Sequence, residues 1–284
     1  MANHLAMALV ALDRLGASDE RLREFAAFYE RRLRAKPESE IARSTKFAAE
    51  LKEKGRETFL RDAVAPLTPG LASEAFHGLI RTAYAVDSGD DVDLPDALTS
   101  WDLGYAELKR REETRWKSAI DAFLAMNRDD RFPKKFGSRS ISGSILKVVA
   151  IPAFDDYRFG IRNLALGDLA KIAALLFLAT GDFTVLHLVT ACHATRVLQR
   201  YLAADAVDHL AVAMLAAYAS IGRPDFDAAL QPAHDLPDWA SLAARVIPSD
   251  DEHDLKLVYS CRQEEKQYGW HLHQMAAALR LAKG

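Results

Sequence analysis

The chain of 284 residues has only two cysteines, Cys192 and Cys261. Two thiols cannot build a disulfide framework, and neither has a companion at zinc-site spacing, so a reducing, cytoplasmic setting is expected. Long uninterrupted apolar runs are also missing. The most apolar stretch, Leu164 to Thr180, contains Asp168 and Lys171 and is too short to cross a bilayer, so it predicts a buried core helix and no membrane partner. A net charge of −3 supplies no one-signed field to attract nucleic acid. Met1-Ala2-Asn3-His4 has neither the cationic nor the apolar block of an export signal. No G-x-x-x-x-G-K-[ST], no G-x-G-x-x-G after a strand and no internal repeat is present, and no convincing run alternates with period two.

What is present is helical periodicity. Hydrophobic residues make up 50% of the chain, enough for a sizeable core, and they recur at three- and four-residue intervals almost throughout. Segments 3–15, 18–35, 40–54 and 56–65 read as helices broken at Gly16 and Gly55, and Pro66 to Gly70 is a further break. Helices are expected over 73–84, 94–110 and 112–126, with Trp101, Tyr105, Trp116 and Phe123 as packing anchors. The basic stretch 127–143, rich in Gly, Ser and Pro, predicts a loop or lid and a soft boundary between halves. Gly181-Asp182 joins helices over 164–180 and 183–202 into an αα-hairpin, and 204–221 forms another helix. The last helix opens at Ser249, where Ser249 and Glu252 have capping-box spacing, and is expected to run to about Leu281. The expected fold is all-α, a single globular multi-helix domain over residues 1–284.

The nine histidines carry the chemistry. His193, His209, His234, His271 and His273 sit on half-polar faces, near helix starts or in the proline-bounded loop, where structural or surface roles suffice. His4, His77, His187 and His253 each lie on a face made of apolar or small residues. His187 and His193, six apart on one helix, point about 240° away from each other, and His187 is the buried one. Singly, each inward imidazole reads as a satisfied core histidine. Jointly, four helices offering one imidazole apiece are how bundles build a metal site, and neutral imidazole suits Fe, Zn, Cu or Ni. No Glu-x-x-His pair supplies a carboxylate. Asp168 and Asp254 are potential sources, and so is Lys256, one turn after His253, if its amine is converted by CO2 to a carbamate; burial favours the free amine that reaction needs. Pattern alone does not choose among them.

Asn3-His4 with Leu15-Gly16-Ala17, then Ala75-Phe76-His77, then Leu186-His187-Leu188-Val189-Thr190, then His253-x-x-Lys256 together resemble, in order and over nearly the whole chain, the questin oxidase-like family. The resemblance implies flavin-independent oxygenation and ring opening of aromatic polyketides such as anthraquinones, with a non-haem iron held by histidines and a carboxylated lysine. Carried over, the metal set is His4, His77, His187 and His253 with Lys256 as the carbamate; His193 is not assigned a role. The expected protein is an iron-dependent oxygenase using O2, with NADPH a candidate reductant, acting on a small aromatic or quinone-like molecule. Arg81, Tyr84, Trp101, Tyr157 and Arg158 are the candidate substrate wall, where a guanidinium would meet an enolate or phenolate oxygen. The alternatives are a zinc-dependent hydrolase and a non-catalytic helical ligand-binding protein. Oligomeric state is not readable.

Overall fold

The computed structural model describes residues 3–282 apart from Arg139, Pro232 and His234, so His234 lies outside the described residues. Helices follow one another in the order α1 (Leu5–Leu15), α2 (Asp19–Glu30), α3 (Glu38–Lys54), α4 (Arg56–Val64), α5 (His77–Ser88), α6 (Leu94–Leu103), α7 (Ala119–Asn127), α8 (Ile141–Val149), α9 (Leu166–Thr180), α10 (Phe183–Leu198), α11 (Ala206–Ser220), α12 (Trp239–Val246), α13 (Glu252–Tyr268) and α14 (Leu272–Ala282). Strand content is limited, among the described residues, to a short parallel pair, β1 (Thr114–Trp116) with β2 (Gly160–Ile161). The chain is an all-α, single compact domain, as its periodicity predicts.

The centre is built on α10. Its sequence has no polar stripe, so its inner turns from Thr184 to Thr195 are buried all round, as expected of a helix that neighbours surround. Gly181, at φ 59°, ends α9 in the left-handed conformation that favours glycine, and the Asp182 carboxylate accepts the Thr184 amide at 2.6 Å to start α10. The two helices therefore fold back as the expected hairpin. α5, α9 and α13 pack against α10, while α1 lies on α5 and α13. That arrangement brings the beginning of the chain to the beginning of α13. At Gly78 an added Cβ would stand 2.5 Å from Trp101 Cγ, so α5 and α6 approach as closely as they do only because that side chain is missing.

Several boundaries differ from expectation, each for a local reason. The predicted helix 94–110 stops at Leu103, and helix 112–126 begins only at Ala119. In between, the charged run gives its backbone to β1 and to the Arg111 amide, which donates to the Arg158 carbonyl at 2.8 Å. The last helix is two helices: Gly269, at φ 71°, terminates α13. The Ser249–Glu252 capping box does not form. Asp251 is the N-cap and accepts the His253 amide at 2.9 Å, while Ser249 Oγ donates to Asp254, which frees the Glu252 carboxylate for another partner. Within 127–143, Phe132 is buried, its carbonyl accepts from Arg223 at 2.8 Å, and α8 begins at Ile141.

Candidate metal centre

Four imidazoles converge where the starts of α1, α5 and α13 meet the first turns of α10. His4 is the residue before α1, and its amide donates to the Tyr29 hydroxyl at 3.0 Å. His77 is the first residue of α5 and follows a tight turn in which Glu74, Ala75 and Phe76 all take positive φ, of 49°, 60° and 66°. Three consecutive non-glycine residues in the left-handed region are unfavourable by about 1–2 kcal/mol each, and such strain persists only where surrounding structure imposes it. His187 sits one turn into α10, and His253 is the second residue of α13. The His4 and His77 rings are stacked with centroids 4.8 Å apart and planes 11° from parallel. His253 lies edge-on to His4 at 4.9 Å, and His187 is 5.0 Å from His77 and 5.6 Å from His253.

The hydrogen bonds of these rings follow one rule. His187 Nδ1 donates to the Phe183 carbonyl at 2.8 Å, His77 Nδ1 to the Glu74 carbonyl, His4 Nδ1 to Glu252 Oε1 at 3.1 Å, and His253 Nδ1 to Asp251 Oδ1 at 3.2 Å. A nitrogen that donates carries the proton, so each ring presents a lone pair on Nε2. Among the described residues, the Nε2 atoms of His4, His77 and His187 are buried with no partner. Buried acceptors left unsatisfied cost about 1–3 kcal/mol each, so this is an expensive arrangement unless something occupies it. Ring nitrogens of His4, His77 and His253 lie within 4.8 Å of one another, as coordination of a single ion requires. A metal ligated at Nε2, with Nδ1–H donated to a carboxylate or carbonyl, is the usual pattern of histidine coordination.

The surrounding electrostatics hold the rings of His4, His77 and His187 neutral. Burial, reinforced by the Lys256 charge, pushes His77 down to about 4 and His4 and His187 far below the ordinary histidine range. His4 and His77 also stand at helix N-termini, where the backbone dipole opposes a proton. Lys256 is only 2% exposed and, among the described residues, has no carboxylate within salt-bridge distance. Burial lowers it to about 8, against the attraction of Glu252 and Asp251. A lysine in that condition is a nucleophilic amine near neutral pH.

Of the sequence-predicted ligands, His4, His77, His187, His253 and Lys256 are thus brought together. His193 is not. It faces the other side of α10, where it pairs with buried Glu264 at 3.2 Å beside Arg196. Tyr84 backs the cluster, its hydroxyl donating to the Lys256 carbonyl at 3.2 Å. Arg81 is close enough to lower His4, although its guanidinium is held by Asp93 at 2.7 Å. The remaining predicted wall residues are held elsewhere. Trp101 is wholly buried and donates to the Gly70 carbonyl, Tyr157 donates to Asp129, and Arg158 binds Asp155 and the Lys109 and Val149 carbonyls. Asp168 bonds the Ala165 amide at the start of α9, and Asp254 binds Arg280.

Three residues at the cluster escaped the sequence reading. Glu252 was expected to cap a helix, and Asp251 had no assigned part. Phe183 looked like an ordinary core residue, yet it is 47% exposed and its ring meets His187 at 4.8 Å and His253 at 4.7 Å. Its position one turn before His187 was the available signal.

The model of the family described as questin oxidase-like matches residues 23–261 of the chain. That stretch includes His77, His187, His253 and Lys256, and His4 lies upstream of it. No curated protein matches the sequence. The family implies an oxidoreductase acting on a small molecule. No helix among the described residues is long and apolar enough to cross a membrane.

Proposed function

The chain belongs to the questin oxidase-like family, and from that premise we propose that it is a non-haem iron-dependent oxygenase of an aromatic, quinone-like small molecule. The supporting observation is the set of buried, partnerless Nε2 lone pairs on His4, His77 and His187, each oriented by a donated Nδ1–H. His253 completes the imidazole set and Lys256 supplies an anionic oxygen as its carbamate, a mixed N/O donor set suited to iron. Iron bound there would supply the one-electron chemistry that reaction with O2 requires.

The protein's own residues do the rest. The Nδ1 acceptors hold the rings in one tautomer, so no proton has to leave a ligand nitrogen on metal binding except at Lys256. Tyr84, hydrogen-bonded to the Lys256 carbonyl and to Ser260 at 3.1 Å, fixes the turn of α13 that carries the lysine. The aromatic substrate approaches from the side of Phe183, whose half-exposed ring is the screen between solvent and the two imidazoles behind it. A planar substrate stacks on that ring, within reach of the Arg81 side of the site for its phenolate or enolate oxygen. Where the reaction needs electrons beyond those of the substrate, NADPH is the proposed source.

Anaerobic reconstitution with Fe(II), followed by O2-uptake measurement on adding a hydroxylated anthraquinone or anthrone, tests this reading. Iron-dependent O2 consumption with substrate loss is expected. Tight binding of zinc alone, with no O2 uptake in any metal form, would refute it and favour metal-assisted hydrolysis.

A further inference from the structure

We infer that Glu252 is the positioning residue that orients His4 among the metal-facing histidines and ties the start of α1 to the start of α13; this rests on the metal reading above. Its Oε1 lies 3.1 Å from His4 Nδ1 and 3.7 Å from His253 Nδ1. The first contact is a hydrogen bond; the second is too long for one, and His253 Nδ1 donates to Asp251 at 3.2 Å instead. Among the described residues, Glu252 has no Lys or Arg within salt-bridge distance, so its carboxylate stays available as the acceptor of the neutral His4 ring. Neighbouring Asp251 differs. It is more exposed and is bound by Arg280 at 2.9 Å, so its charge is already matched by a guanidinium.

His4 depends on Glu252 most. Helix α1 begins at Leu5, and the His4 side chain makes no capping hydrogen bond to it. The backbone anchor to Tyr29 fixes the residue but leaves χ1 and χ2 free. Accepting the Nδ1 proton fixes both the ring angle and the tautomer, and thereby aims Nε2 at His77 and His253. Without that acceptor the proton is free to move to Nε2, which blocks the lone pair needed for coordination. His253 donates to Asp251 rather than to Glu252 and is expected to keep its orientation when Glu252 is replaced.

The test uses the full chain, with Glu252→Gln and Glu252→Ala beside wild type. Gln keeps one carbonyl acceptor and the volume; Ala keeps neither. Each is titrated with Co(II) against a competing chelator, and the Co(II) d–d spectrum is recorded. Loss of an outer hydrogen-bond partner typically weakens metal binding by about 10–100-fold. The Gln variant should fall near the low end of that range and the Ala variant near the high end, with an altered Co(II) spectrum. In the metal-free protein, long-range 1H–15N spectra should show His4 as the Nδ1–H tautomer in wild type and a shift toward Nε2–H in the Ala variant. Wild-type Co(II) affinity in both variants, with an unchanged His4 tautomer, overturns the role of Glu252 while leaving the metal reading intact. Wild-type protein that binds no metal overturns the metal reading and this inference together.

Discussion

Replacing Lys256 by Met should move stability and metal affinity in opposite directions. The native metal-free protein holds an ammonium that burial has brought down to about 8 from an ordinary 10.5. For a base with a depressed native pKa, the unfolded chain binds the proton more tightly, so the folded state is penalised at every pH below about 8, and the penalty fades as pH rises from about 8 to 10.5. At about 1.4 kcal/mol per tenfold change in proton affinity, the full penalty is about 3 kcal/mol. Met fills a similar volume without charge, so at pH 7 in chelator the variant should be more stable by up to about 3 kcal/mol. Replacement of the amine also removes the nitrogen on which the proposed carbamate would form. At pH 7.5 roughly a quarter of Lys256 is the free amine, against about one in a thousand for a solvated lysine, so the reactive form is enriched about 200-fold. Urea denaturation in chelator measures the first effect. Metal titration with and without added bicarbonate, together with 13C NMR of protein equilibrated with 13C-bicarbonate, measures the second. A Met variant that is less stable metal-free, binds metal like wild type and lacks any bicarbonate dependence would refute the assignment of a buried, uncompensated lysine that becomes a ligand.

Acid should destabilise the metal-free protein through His4, His77 and His187. Their native pKa values lie below 6.5, so the unfolded chain takes up protons first, and stability falls as pH drops from about 6.5 toward 4, by about 3 kcal/mol for His77 alone, in denaturant midpoints measured across that range. Phe183→Ala removes the ring that screens His187 and His253, so chelator should strip bound Co(II) several-fold faster in stopped-flow absorbance; an unchanged rate would mean that access lies elsewhere. Gly78→Ala pushes a methyl to 2.5 Å from Trp101 Cγ and should cost about 1–3 kcal/mol, read as a lower thermal midpoint with displaced His77 and weaker metal binding.

Much of the fold was legible because helical periodicity is a local property. The pattern 164–180, Gly181-Asp182, 183–202 anticipated the α9–α10 hairpin to within a few residues, since a glycine stop and an aspartate cap act on their own neighbours. It failed where distant backbone won: β1 exists because Thr114–Trp116 pairs with residues near 160, which no window of sequence contains. Helix geometry separated His187 from His193 but misjudged burial: both are buried, His193 because Glu264 and Arg196 give its ring polar partners inside the fold. The gathering of the four imidazoles was not derivable from spacing; resemblance suggested it.

The sequence by itself determined an all-helical chain, because side-chain polarity and the 3.6-residue repeat are written residue by residue; it did not determine the full inward set, since His193 and His273 are buried as well. Only tertiary structure decided that the four imidazoles and Lys256 share one small volume, because contact between His4 and His253 depends on how α1 lies across α5 and α13. It also decided what Glu252 does. In sequence, a glutamate three residues after a serine is a cap. In the fold its carboxylate instead meets His4, because α1 ends its approach there and Asp251 has already taken the capping role.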